Sequence, residues 1–155
     1  MKKILALSLI VIICLTTLSS CGFIDKIKNM YNDMYEHGKE SLTLVQEFTT
    51  EFLTKDYDNA ITKIHPSSTI TKENLEKMRS DLIKNLNLDE IDSSTTISFT
   101  KLDFDISPIG NENGDIIQTQ YTVILTLELA GFSVSISSIV LQDDLGFGIY
   151  TYMIR

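Results

Sequence analysis

Apolar residues recur at two different spacings along this chain, and the change falls near Thr95. Upstream the period is close to 3.6 residues. Ile24, Ile27, Met30, Tyr31 and Met34 recur at helical spacing, with Lys26, Lys28, Asn29, Asn32 and Asp33 on other faces. Gly38 is predicted to end or kink this segment. Leu42, Val45, Phe48 and Phe52 form a second stripe, widened by Leu44 and Leu53, so residues 41–54 read as a core-facing helix. Lys55-Asp56-Tyr57-Asp58-Asn59-Ala60 turns the chain into a short helix whose apolar side is Ala60, Ile61 and Ile64. His65-Pro66 closes it, because the residue before a proline is pushed out of the helical region. Thr71 is the expected N-cap of a third helix, with Glu73 favoured in its first turn. Leu75, Met78, Leu82 and Leu86 mark one face of that helix, and residues 85–94 read as a polar exit.

Beyond Thr95 the period becomes two. Ile97 and Phe99 alternate with polar residues, then Leu102, Phe104 and Ile106 do so in the opposite phase. A shift of phase swaps the buried face, so a β-bulge is expected near Thr100-Lys101. Residues 107–115, with Pro108, Gly110 and Asn113-Gly114, read as a hairpin loop. The clearest strand follows: Ile117, Thr119, Tyr121, Val123, Leu125, Leu127 and Leu129 share one face. Ala130-Gly131 turns the chain, and Phe132, Val134, Ile136 and Val140 alternate with Ser133, Ser135 and Ser137. Asp143-Asp144 and Gly146 mark another turn. The last strand is predicted to carry Tyr150 and Tyr152 on one side and Phe147, Ile149 and Met153 on the other. Helices first and an antiparallel meander of four strands afterwards make the class α+β.

The N-terminus has its own pattern. Met1-Lys2-Lys3 is followed by an apolar run from Ile4 to about Leu15 and then by Leu18-Ser19-Ser20-Cys21. The run is shorter than the roughly 20 residues a transmembrane helix needs, and a positive start with a short apolar core defines a secretory leader. Leu18, two small residues and Cys21 resemble the lipobox of bacterial lipoproteins. The resemblance implies a leader over residues 1–20 and Cys21 as the lipidated first residue of the exported chain. It would carry diacylglycerol and an N-acyl (palmitate-type) chain, since one acyl chain alone holds a membrane only marginally. Residues 21–38 would then be an anchor and membrane-proximal helix, with Lys26 and Lys28 near anionic head groups. Gly22, where an Asp would resemble an inner-membrane retention signal, points to the outer membrane in a Gram-negative host.

Charge and cysteine count narrow the functions. The 155-residue chain carries a formal charge of −8, and loss of Lys2 and Lys3 with the leader makes the remainder more acidic still. That argues against nucleic acid, whose phosphates require clustered Lys and Arg. Cys14 lies in the leader and Cys21 is taken by lipid, which leaves no thiol for a disulfide, a zinc site or a nucleophile. His37, flanked by Glu36 and Glu40, and His65 lack metal-ligand spacing, so neither a metal nor a cofactor is expected. Asp103 and Asp105 alternate with apolar residues and read as the outside of a strand. Residues 111–115 echo part of a calcium loop, but the first and twelfth ligand positions would be Ile109 and Gln120. There is no Gly-rich phosphate loop and no G-x-S-x-G turn.

Val45-Gln46-Glu47-Phe48, together with Lys55-Asp56-Tyr57-Asp58-Asn59-Ala60-Ile61, resembles a pattern of small exported proteins of the NTF2-like superfamily. The resemblance covers about residues 40–155 and implies one domain over 39–155. Its fold would be a cone, in which N-terminal helices pack on a curved four-stranded antiparallel sheet, often around a pocket. Members include isomerases, dehydratases and binding modules, and the enzymes use an Asp or an Asp–His pair inside the cone. No such motif is matched here, so no catalytic residue carries over. The candidate binding surface is Ser133, Ser135 and Ser137 (with Ser138 beside them) plus Tyr150 and Tyr152. These hydroxyls also fit the exposed side of an amphipathic strand. The expected function is a lipid-anchored, non-enzymatic module that binds an envelope protein or small ligand. The alternatives are a carrier or enzyme working in a cone pocket, and a structural spacer with residues 23–37 as a stalk.

Overall fold

Three helices precede four strands: α1 (Lys2–Leu53), α2 (Tyr57–Thr62), α3 (Lys72–Asn85), β1 (Ile97–Gly110), β2 (Ile116–Leu129), β3 (Phe132–Asp143) and β4 (Gly146–Ile154). The computed structural model describes the backbone of residues 2–92 and 94–155, and the side chains of residues 25–92 and 94–155. The chain divides into two compact units, residues 1–36 and 37–155. The side chains of the leader and of Cys21 lie outside the described residues, and the lipid expectation with them. Among the described residues no helix is long and apolar enough to cross a membrane. In the first unit, Ile27, Met30 and Tyr31 have the predicted spacing and are exposed.

The second unit holds the core. Val45, Phe48, Phe52 and Leu53 of α1 are fully buried, as their stripe predicts. They share one cluster with Tyr121, Val123, Leu125, Leu127 and Leu129 of β2 and with Val134, Ile136 and Val140 of β3. The helix ends in a left-handed residue, Lys55, with φ 68°. Asp56 N–H reaches back to the Glu51 carbonyl at 2.8 Å and Lys55 N–H to that of Phe52 at 3.3 Å, a Schellman closure. Thr71 caps α3 as expected. Its hydroxyl accepts from Asn74 N–H, while the Asn74 side chain accepts from Thr71 N–H at 2.9 Å. Ile61 departs from expectation: it is exposed, and Ala60 alone is the buried residue of α2.

The strands pair antiparallel in the order β1-β2-β3-β4, an open sheet whose edges are β1 and β4. The expected bulge is present: register slips between Thr100 and Asp103, and Lys101 sits at φ 50°. It turns Leu102 out to solvent, contrary to the alternation read from sequence, while Asp103 and Asp105 lie outside as predicted. β1 continues through Pro108 to Gly110, so the loop is shorter than predicted. A second slip leaves Ile117 without a partner and exposed, although its neighbours on that face are buried.

Gly38 does not break α1. The helix passes through it, and it is buried against β1. A Cβ added there would lie in steric overlap with the nearest ring carbon of Phe104. The glycine is an entry point for an aromatic side chain, and the helix tolerates it because the ring fills the place of the missing methyl. Gly38→Ala therefore sets about 1 kcal/mol of gained helix propensity against about 1–3 kcal/mol of overpacking. Urea unfolding should show a net loss, and Phe104→Leu in the same chain should return part of it. A Gly38→Ala variant as stable as the parent contradicts this packing.

Candidate functional site

β4 is set by one irregularity. Val140 pairs with Ile149 and Ile139 with Thr151, which leaves Tyr150 as the extra residue of a bulge. Alternation restarts beyond it. Ile149 and Tyr152 therefore both face the core, while Tyr150 and Met153 are exposed. This corrects the predicted grouping of Tyr150 with Tyr152. The Tyr152 ring stands edge-on to Phe48 and Phe52, with centroids 4.9 and 5.7 Å away. Thr49 Oγ1 already donates its one proton to the Val45 carbonyl at 2.6 Å, so Tyr152 donates to Thr49 across 2.8 Å. Burial pushes the Tyr152 phenol well above its ordinary value, and the bond to Thr49 only partly opposes it.

A cleft of about 430 Å³ opens between α3 and the end of β4. Met78, Asp81, Leu82 and Asn85 line one wall, and residues 152–155 line the other. Helical spacing places the four α3 residues together, at i, i+3, i+4 and i+7. Leu82 is buried, Met78 half-buried, and Asp81 and Asn85 are exposed at the rim.

The β4 wall is backbone as well as side chain. Arg155 and Ser135 exchange both ladder bonds, at 2.8 and 3.0 Å. In an antiparallel pair such residues alternate with others whose N–H and C=O point away from the partner. Ile154 and Tyr152, opposite Ile136 and Ser138, are those others. Their peptide groups point away from β3, and both residues line the cleft. Earlier along the same edge the row is already occupied. Ile149 N–H bonds to the Lys63 carbonyl and His65 N–H to the Ile149 carbonyl, both at 2.9 Å, a short parallel bridge. Ser68 Oγ then donates to the Tyr150 carbonyl at 2.7 Å. Gly148 permits this approach, since a Cβ there would lie 2.7 Å from His65 N.

His65 does not close the second helix, as expected of it, but lies beyond its end. α2 stops at Thr62, and the His65 ring is buried beside Asp143, with Nε2 3.1 Å from Oδ1. Ser67 N–H donates to Nδ1 at 3.2 Å. That fixes the neutral tautomer carrying its proton on Nε2, and both ring nitrogens are engaged. The Asp143 carboxylate is held below its ordinary range. Partial desolvation raises it, but the Leu145 N–H and His65 outweigh that. The pair braces the β3–β4 turn against the Lys63–His65 segment. A buried cation has a similar role. Arg79 Nε donates to the Leu53 carbonyl at 2.7 Å, and Nη2 to the Ile91 carbonyl at 2.6 Å and to Glu90. It ties the end of α1 to the loop after α3, which sequence read only as a polar exit.

The predicted surface is split between the two faces of the sheet. Ser133 and Ser135 are exposed, Ser137 is half-buried, and Ser138 points into the core and donates to the Thr151 carbonyl. Ser133 is engaged by Glu128 at 2.7 Å. Tyr152 lies on the opposite face of the sheet from the three serines. Sequence reasoning missed the cleft, although Asp81 and Asn85 stand one turn apart beside the Met78–Leu82 stripe. Among the described residues no group of three or more acidic, His or Cys side chains could hold a metal ion. No family model, curated protein or solved structure matches the chain.

The buried phenol sets a pH dependence. Its affinity for the proton is raised in the fold from an unfolded value of 10.0, so the stability it supplies is complete below that pH and is lost as pH rises above it. Tyr152→Phe should cost about 1 kcal/mol at neutral pH for the lost hydrogen bond. Above pH 10 the difference should shrink and reverse, by about 1.4 kcal/mol per pH unit. Urea titrations of both chains across that range check it, and parallel profiles contradict the burial.

Proposed function

We propose that this chain is a lipid-anchored protein of the cell envelope, and that its residues 39–155 form an NTF2-like module acting by binding rather than by catalysis. The anchor reading rests on Lys2 and Lys3, the apolar run after them, and Leu18-Ser19-Ser20-Cys21. The NTF2-like reading rests on helices that precede and cover one face of an antiparallel meander. The cleft between α3 and β4 carries the binding reading. It combines an apolar floor at Met78 and Leu82 with a few polar groups at its rim, the composition of a recognition site. The buried pair with acid–base chemistry, His65 and Asp143, has its ring nitrogens committed to holding a turn in place.

Cys21→Ser tests the anchor. Expressed in a bacterial host, the parent chain should incorporate radioactive palmitate and enter the detergent phase on Triton X-114 partition. The variant should do neither and remain in the aqueous phase. Identical partition of the two chains removes the lipid anchor.

A further inference from the structure

We infer that the α3–β4 cleft takes an extended peptide, which adds to the free half of the β4 edge as a further strand. This rests on the binding function proposed above and specifies its ligand. The two sheet edges are treated differently. On β1, the Asp103 and Asp105 carboxylates accept the N–H of Phe104 and Ile106, each at 2.9 Å. Pro108, next in the same alternation, has no N–H to offer. Over residues 104–108 the donors of that edge are capped or missing, the usual defence against strand addition. On β4, residues 63–68 cover the edge as far as Tyr150. Beyond that point the peptide groups of Tyr152 and Ile154 point away from β3, both residues line the cleft, and no loop or side chain among the described residues bonds to those groups.

A strand entering there meets two kinds of recognition. Main-chain bonds to Tyr152 and Ile154 supply affinity that is indifferent to sequence, and alternate side chains supply selection. From Tyr152 to Arg155 the edge spans about 10 Å at roughly 3.3 Å per residue, so three or four ligand residues make the contact. One bulky apolar side chain of the ligand reaches the floor at Met78 and Leu82. Its neighbours lie over the rim, where Asp81 stands on the α3 wall and Arg155 on the β4 wall. Charge complementarity therefore selects one basic and one acidic residue flanking the apolar one. The ligand is a short, apolar-centred segment of mixed charge in extended form.

A displayed library of random octapeptides, panned on the full chain in detergent micelles, tests this. Enriched sequences should carry a bulky apolar residue flanked by one basic and one acidic residue. The best of them, resynthesised with N-methyl groups on alternate amides, should bind at least tenfold more weakly to the unaltered protein. Met78→Glu should weaken binding at least tenfold. Ile154→Pro, which removes a donor facing away from β3, should abolish binding, whereas Ile154→Val, which keeps that donor, should bind within about twofold of the parent. No enrichment, or binding that ignores N-methylation, overturns strand addition. A parallel thermal-shift screen of small molecules on the same chain separates the two readings. Hits there without peptide binding overturn this inference alone, and silence in both removes the binding function too.

Discussion

Tyr152 wedged between Phe48 and Phe52 fixes which way the last strand faces, and the site follows from that. An aromatic pair of this kind contributes about 0.5–1.5 kcal/mol beyond its area burial, and here one ring makes two. Regular alternation from Ile149 would turn Tyr152 outward. The bulge at Tyr150 lets both residues enter the core. Its energetic compensation is visible in the hydroxyl, which reaches Thr49 instead of being stranded in an apolar layer. The parity that sends the Tyr152 ring inward belongs to the same strand segment whose peptide groups point away from β3. Core packing and open edge are two consequences of one register.

The rest of the unit holds that register in place. The Lys63–His65 segment, admitted by Gly148 and held by Asp143, acts as a short further strand and stops the β4 edge from fraying. Arg79, on α3, bonds to the end of α1 and to residues 90 and 91, which fixes α3 against both. A buried guanidinium with three bonds is strongly destabilising to truncate, because its partners lose their donor inside the protein. α3 is thereby held near the edge without closing onto it, and the cleft is the gap that remains.

Much of this architecture is legible in the sequence because it depends on period. The stripe of Val45, Phe48 and Phe52, the cap at Thr71 and the face running from Tyr121 to Leu129 are local patterns that burial enforces directly. The first bulge is legible too, since a phase shift must show in the alternation. What escapes depends on partners distant in the chain. Gly38 looks like a helix breaker until Phe104 is placed against it. His65 looks like a helix end until Asp143 arrives from 78 positions away. Tyr150 and Tyr152 look like one face because the bulge between them leaves no mark in a run of aromatic and apolar residues. The cleft is a relation between α3 and β4, and neither element announces the other.

Amide hydrogen exchange of the unliganded full chain, resolved by residue along β4, tests the central claim most directly. Ile149, Thr151 and Met153 should exchange slowly, because their N–H groups are bonded to the 63–65 segment or to β3. Tyr152 and Ile154, between and beyond them, should exchange at rates near those of open loops. Uniform protection across residues 149–154 would mean that the edge is already occupied, and would contradict the account.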